Sequence, residues 1–229
     1  MIMGMQEKGL PVSEIFSSIQ GEGIWAGKPA QFLRLAYCNL TCSWCDSIYT
    51  WQAPVQVEWK TVEEIFQRIR SFPQKHLVIT GGEPLLFQKL LIPLLNLLPE
   101  YFIEMETNGT IVPDSEILSL VHQFNVSPKL ANSGIPLQKR FLPEVLHFFS
   151  QHPRAYFKYV VCEPGDIEEI EEQARQFHIP KKRIILMPEG KNREQILSRR
   201  EWVLKIATER GFRFTDRWHI LIWNGAPGK

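Results

Sequence analysis

Three of the four cysteines fall within eight positions, as Cys38-Asn-Leu-Thr-Cys42-Ser-Trp-Cys45. This CxxxCxxC spacing lets three thiolates converge on one centre. A structural zinc site or an ordinary four-iron cluster takes four protein ligands, so three leave one metal position open, as a reactive site requires. Cys162 closes the apolar run Tyr159-Val-Val161 and reads as a buried thiol behaving as a small hydrophobe. A zinc site completed by Cys162 or a histidine is the structural alternative to a reactive cluster.

Other segments carry polar groups at chemically useful spacings. In Thr80-Gly-Gly-Glu-Pro84 the paired glycines admit a close backbone approach, and Glu83 is a carboxylate able to receive an ammonium. Glu106-Thr-Asn-Gly109 and Ser127-Pro-Lys129 are further polar strand-to-turn transitions. Ahead of the cysteines, Gln20 and Glu22 set an amide beside a carboxylate, and Arg34 offers a planar bidentate donor. Taken alone, Gln20 and Glu22 fit a solvated turn, Arg34 fits a strand residue facing water, and His219 fits a core or edge position.

The elements that must position these groups alternate. Strands are expected at Gln31–Ala36, His76–Thr80, Phe102–Glu106, Asn125–Ser127, Tyr156–Val161, Arg183–Met187 and His219–Trp223. Helices are expected from the capping box Thr61-Val-Glu-Glu64 onward and over Leu85–Leu98, Pro136–Ser150, Asp166–His178 and Glu201–Arg210. Such alternation implies an α/β architecture with parallel pairing, as an open sheet or as a whole or partial barrel. Chemistry in such folds gathers at the carboxyl ends of the strands. The cysteine segment, the Gly-Gly-Glu-Pro loop, Thr107-Asn-Gly109 and Pro128-Lys129 then share one face.

Bulk properties set the limits. The chain has 229 residues, 44% hydrophobic and 22% charged, which suits a single domain spanning 1–229. Lys plus Arg (26) nearly cancels Asp plus Glu (25), leaving no basic field for nucleic acid. Met1 to Gly9 contains Glu7 and Lys8 and no long apolar run, so neither a signal peptide nor a membrane span is expected, and the cytoplasm is the expected compartment.

With the cysteine triplet after one strand and Gly-Gly-Glu-Pro after the next, the chain resembles the radical S-adenosylmethionine (SAM) superfamily. The resemblance implies a partial, incomplete β/α barrel with a 4Fe–4S cluster on Cys38, Cys42 and Cys45, whose open iron chelates SAM. It further implies reductive cleavage of SAM to a 5′-deoxyadenosyl radical that takes a hydrogen atom from the substrate. Gly81, Gly82 and Glu83, then Glu106, Thr107, Asn108, Ser127 and Lys129, match the superfamily's SAM contacts, and Trp44 reads as a shield for the cluster.

Within that superfamily, Glu14-Ile-Phe-Ser-Ser-Ile-Gln-Gly-Glu-Gly23, Gly27-Lys-Pro29, Phe32-Leu-Arg-Leu35 and Cys45-Asp-Ser47, with Leu186-Met-Pro-Glu-Gly190 and Arg217-Trp-His219, are similar to the 7-carboxy-7-deazaguanine synthases of queuosine and deazapurine biosynthesis. The similarity implies a lyase that contracts 6-carboxy-5,6,7,8-tetrahydropterin to 7-carboxy-7-deazaguanine with loss of ammonia. It assigns Gln20, Gly21, Glu22, Arg34, Thr80 and His219 to the substrate, and Mg2+ to Ser47. Family members commonly have threonine there; serine keeps the hydroxyl and lacks the methyl that stiffens the rotamer. A homodimer and a flavodoxin or ferredoxin as electron donor are also implied. The tail Asn224 to Lys229 extends beyond the end of short members, whose terminal carboxylate contacts substrate. Two rivals are a glycyl-radical-activating enzyme, which would not need Gln20, Glu22 and Arg34, and a non-catalytic zinc-binding module.

Overall fold

A computed structural model describes residues 9–226 and 228. Met1 to Lys8, on which most of the leader expectation rests, and two tail positions, 227 and 229, lie outside the described residues.

The chain begins with strands β1 (Leu10–Ile19), β2 (Pro29–Leu35) and β3 (Glu58–Lys60), followed by helix α1 (Val62–Arg70). There follow β4 (His76–Gly81), α2 (Gln88–Asn96), β5 (Phe102–Thr107), α3 (Ser115–Leu120) and β6 (Gln123–Val126). The second half comprises α4 (Leu137–Arg140), α5 (Pro143–Gln151), β7 (Ala155–Val161), α6 (Asp166–Gln176), β8 (Ile184–Pro188), α7 (Arg193–Arg210), β9 (Arg213–Phe214) and α8 (Trp218–Trp223). All nine strands join one sheet in the order β3-β1-β2-β4-β5-β6-β7-β8-β9. Pairing is parallel from β2 through β9 and antiparallel where β1 meets β2 and β3. The edge strands β3 and β9 do not pair, so the sheet is a partial barrel. Among the described residues, no helix is long and apolar enough to cross a membrane.

Successive strand side chains point to opposite faces. One parity, including Leu33, Leu35, Leu77, Ile79, Ile103, Met105, Phe124, Val126, Phe157 and Tyr159, is buried in the main core with helix residues such as Ile65, Leu91 and Val145. The other parity is largely polar: Arg34 pairs in register with Thr80, Glu104 with Gln123, and Glu106 with Asn125, while Lys158 lies two residues beyond Tyr156, the partner of Asn125. Parallel strands covered on both faces normally read as continuous apolar runs. Here the polar parity is hydrogen-bonded among its own side chains.

Local signals explain several boundaries. Thr61 caps α1: its hydroxyl accepts from the Glu64 amide and the Glu64 carboxylate accepts from the Thr61 amide. The expected helix Leu85–Leu98 is split into a 3-10 turn over Pro84–Phe87 and α2. The expected helix Pro136–Ser150 breaks before Pro143, because proline disfavours helical backbone at the preceding Leu142. The expected Glu201 helix starts earlier, at Arg193, because the Asn192 side chain caps it by accepting from the Gln195 amide at 2.9 Å. Residues His219–Trp223 form helix α8 and not a strand; a short apolar run lacks the periodicity that separates the two. Strands β1, β3 and β9 and helix α3 complete the fold without having been expected.

Candidate active site

The cysteine segment leaves the end of β2 and is pinned by its neighbours. Gly81 and Gly82 matter here: a Cβ on Gly81 would collide with the Leu35 backbone and one on Gly82 with the Tyr37 backbone. This approach lets the Gly82 amide donate to Leu35 O (3.0 Å) and the Glu83 amide to Tyr37 O (2.9 Å), immediately before Cys38. The paired glycines thus meet a second segment of chain as well as the cleft.

Cys38, Cys42 and Cys45 line one cleft, Cys42 being buried. Burial pushes the Cys38 thiol up to about 11, with Glu83 and Cys42 nearby adding to the rise, and raises Cys42 as well. Three crowded thiols in an apolar setting need positive charge to ionise, and a bound iron centre would supply it. N–H donors already aim at the sulfurs: Leu40 N to Cys38 Sγ at 3.4 Å, and Trp51 Nε1 to Cys45 Sγ at 3.3 Å. Such donors fit the thiolates of an iron–sulfur cluster. Trp44 packs against the cysteines, donates to Asn132 Oδ1 at 3.0 Å and stacks under the Lys129 ammonium at 5.3 Å. Cys162 is half-buried, does not line the cleft, and is pushed up to about 12 by burial.

The remaining cleft wall comes from the carboxyl ends of β4, β5, β6 and β7. Gly81, Gly82, Thr107, Asn108, Ser127 and Lys129 all line it, as do Glu106, Thr80, Arg34, Glu22 and Ser47. Glu83 does not. It is fully buried, and its carboxylate accepts from Asn108 N (2.6 Å), Thr107 Oγ1 (2.9 Å) and Leu85 N (3.0 Å), so it ties the β4 loop to the β5 loop. The expectation was that this carboxylate receives an ammonium from the cleft; in the structure it lies outside the cleft lining and three donors of the protein hold it.

Gln20 is also turned away. It is 2% exposed, its Nε2 donates to Glu104 Oε1 at 2.8 Å and its Oε1 accepts from the Glu22 amide at 3.2 Å. The reason lies in the polar parity: Glu104, fully buried, also accepts from Asn125 Nδ2 and lies 2.6 Å from His76 Nε2. Gly21 supports α8, where its carbonyl accepts from Trp218 N at 3.0 Å and its missing side chain makes room for the His219 ring. His219 lines a neighbouring cleft with Arg34, Asp46, Ser47 and Tyr49. Burial pushes this imidazole down to about 4, with Arg217 and Arg34 adding to the fall against the pull of Glu22, so it is neutral near pH 7.

The cleft floor holds a charge that the motifs did not flag, Lys158, among residues that they did. Lys158 donates to Glu22 Oε2 and lies 3.6 Å from Glu106 Oε1; Thr80 Oγ1 donates to Glu106 Oε2 at 2.6 Å. Arg217 donates through Nε to Glu22 Oε1 at 3.1 Å, through Nη1 to Gly190 O at 2.7 Å, and also to Asp46 Oδ2. Ser47 Oγ donates to Asp46 Oδ1 at 2.8 Å. Burial would raise the Glu22 carboxyl, but Lys158 and Arg217 outweigh it and hold the group well below the usual carboxylate range. Ligand atoms of Glu22, Asp46 and His219 lie within 4.8 Å of one another, but the Arg217 guanidinium already bridges the two carboxylates. Arg34 Nε donates to Glu14 Oε2 at 2.9 Å, an oxygen that also accepts from Tyr49 OH at 2.8 Å. That contact ties down the guanidinium of a residue that lines the cleft. The signal for Lys158, Glu104 and Asn125 was present as polar residues at alternate positions of otherwise apolar strands.

Comparison with known proteins agrees with this geometry. The Radical SAM superfamily model matches residues 34–127, from Arg34 to the Ser127 loop. A 7-carboxy-7-deazaguanine synthase of Pyrobaculum aerophilum is 38% identical over 95% of this chain and 96% of the relative. The chain belongs to the 7-carboxy-7-deazaguanine synthase family. A second family member, from Halobacterium salinarum, is 35% identical over 95% of this chain and 92% of its own. The crystal structure of QueE from Escherichia coli superposes with a TM-score of 0.72 at 28% identity, covering 92% of this chain and 94% of that one. As a member of the radical SAM family, the enzyme uses a 4Fe–4S cluster and SAM.

Proposed function

We propose that this enzyme converts 6-carboxy-5,6,7,8-tetrahydropterin to 7-carboxy-7-deazaguanine with loss of ammonia, in the biosynthesis of queuosine and other deazapurines. The observation that carries the reading is a single cleft lined at once by three cysteines, the glycine loop of β4 and the charged residues Glu22 and Arg34. When bound, the cluster and SAM supply one-electron chemistry able to remove hydrogen from an unactivated carbon, which no side chain of the protein could do alone.

The protein's residues hold and orient. Cys38, Cys42 and Cys45 would bind three irons, with Trp51 and Leu40 donating to the sulfurs. Gly81, Gly82, Glu106, Thr107, Asn108, Ser127 and Lys129 would bind SAM, with Glu83 holding two of those loops together. Arg34, fixed by Glu14, would receive the substrate carboxylate through its terminal nitrogens, a bidentate geometry that suits guanidinium. Glu22, held ionised, accepts from N–H donors of the pterin edge, Gln20 and Gly21 shape the turn that presents it, and Thr80 and neutral His219 complete the wall. Ser47, whose hydroxyl donates to Asp46, is the proposed Mg2+ contact, a hydroxyl oxygen being a ligand suited to a hard cation. The enzyme is further proposed to act in the cytoplasm as a homodimer reduced by a flavodoxin or ferredoxin.

The test is anaerobic reconstitution with iron and sulfide, followed by SAM, Mg2+, a low-potential reductant and the pterin. Mass spectrometry is expected to find 7-carboxy-7-deazaguanine. 5′-Deoxyadenosine without that product would overturn the substrate and leave the superfamily chemistry standing.

A further inference from the structure

A lysine ammonium buried inside a cleft is costly unless its partners are fixed, and buried ion pairs as a class add little net stability. Lys158 is such a lysine. It projects from β7 with its side chain 6% exposed, lines the cleft, and stands between the carboxylates of Glu22 and Glu106. Its partner Glu22 is 136 positions away in the chain, and Arg217, which takes the other oxygen of Glu22, is 195 positions away. One carboxylate is thus clamped by two cations delivered from distant elements, and each cation is tied onward: Lys158 to Glu106, and Arg217 to Gly190 O and Asp46.

The clamp has a chemical consequence at the cleft. A carboxylate has about four lone-pair sites. Lys158 and Arg217 each occupy one, which fixes the plane of Glu22 and keeps it acceptor-only. The remaining sites suit a ligand edge with two adjacent N–H donors, such as the amide and amino groups of a pterin, and reject an edge that presents acceptors. Without Lys158, the Glu22 and Glu106 carboxylates would share a poorly hydrated space with less compensating charge. Glu22 would then rotate or take a proton, and in either case lose the acceptor pair.

We propose that Lys158 is a positioning residue that determines specificity for a donor-rich heterocycle edge by clamping Glu22 between itself and Arg217. This rests on the substrate reading given under Proposed function. Lys158 acts through Glu22 and needs no contact with the reacting atoms.

The experiment uses the reconstituted holoenzyme, with iron and sulfide content checked for each variant. Lys158→Met is expected to raise KM for 6-carboxytetrahydropterin, and Kd for fluorescent 6-carboxypterin, by about tenfold or more. Its kcat should change much less than its KM, and Lys158→Arg should restore most of the affinity. In a Glu22→Gln background, Lys158→Met should add less than about twofold, because the group it positions is already neutral. If Lys158→Met fails to fold, Lys158→Ala, which removes the donor and leaves room for water between the carboxylates, takes its place in the cycle. KM and Kd unchanged in the lysine variant, or effects that multiply fully in the double variant, would overturn the inference and leave Lys158 a structural ion pair. A wild-type enzyme that neither binds nor converts the pterin would overturn the substrate reading and this inference together; product from wild type with an indifferent Lys158 variant overturns this inference alone.

Discussion

The helix-facing and cleft-facing sides of the sheet are made from alternate residues of the same strands, yet they obey different rules. On the helix side, Leu33, Leu77, Ile79, Met105 and Phe157 are interchangeable in kind: each contributes by area and volume, and neighbours can adjust. On the cleft side, Glu104, Asn125, Gln20 and His76, and separately Glu22, Lys158 and Arg217, each have named partners. A polar group removed there leaves another one buried and unpaired. The contrast teaches that one face contributes by area and tolerates exchange of like for like, while each group on the other depends on particular partners, and substitutions can test whether the division holds.

The largest effect belongs to the cysteines at the rim of the cleft face. Cys42→Ala is expected to abolish 5′-deoxyadenosine formation and to lower iron and acid-labile sulfide in the reconstituted protein, read by metal and sulfide analysis. Next comes Glu104→Leu, which fills the space but strips an acceptor from Gln20, Asn125 and His76. It should cost about 3 kcal/mol or more in denaturant unfolding, since each buried polar group left unpaired costs about 1 to 3 kcal/mol. A cost under about 1 kcal/mol would erase the distinction between the two faces.

Arg34→Ala should then raise KM about tenfold, equivalent to about 1.4 kcal/mol, while slow uncoupled SAM cleavage continues. Unchanged apparent affinity would remove Arg34 from carboxylate recognition. On the opposite face, Ile79→Val should lower stability by about 1 kcal/mol and leave KM alone, as measured by denaturation and steady-state kinetics on one preparation.

The smallest expected effect sharpens the electrostatics. His219 is pushed down to about 4 from an ordinary 6.5, burial being the main cause. The unfolded chain therefore takes up this proton first, and stability due to His219 is full above about 6.5 and is lost as pH falls through about 4. Carboxylates titrate in the same window, so the measurement is the difference between wild type and His219→Asn, whose unfolding free energy should fall less steeply between these limits.

Much of the cleft was legible in the chain because its chemistry is local. Cys38, Cys42 and Cys45 must be near one another whatever the fold, and the glycine pair of β4 announces a close approach. Thr61 and Glu64 likewise declare the start of α1 within one turn. Apolar alternation located most of the strands, and six of the seven expected ones overlap observed strands. The exception, His219–Trp223, is an apolar segment too short for periodicity to separate helix from strand; it lies in helix α8, whose first residue donates to Gly21 O.

The sequence by itself determined the residue types, the cysteine spacing and the alternation of the central parallel strands with helices, and hence the face on which the loops gather. Tertiary structure alone decided which polar groups face the cleft and which are spent inside. Glu83 and Gln20 look available in the sequence, but they are buried and held by the β5 loop and by Glu104. Lys158 sits in an apolar run that reads as core, yet it meets Glu22 across the cleft floor. The physical reason is that a hydrogen bond or ion pair depends on distances of about 3 Å, and groups separated by 25, 84 and 136 positions acquire such distances only when the sheet brings its strands together.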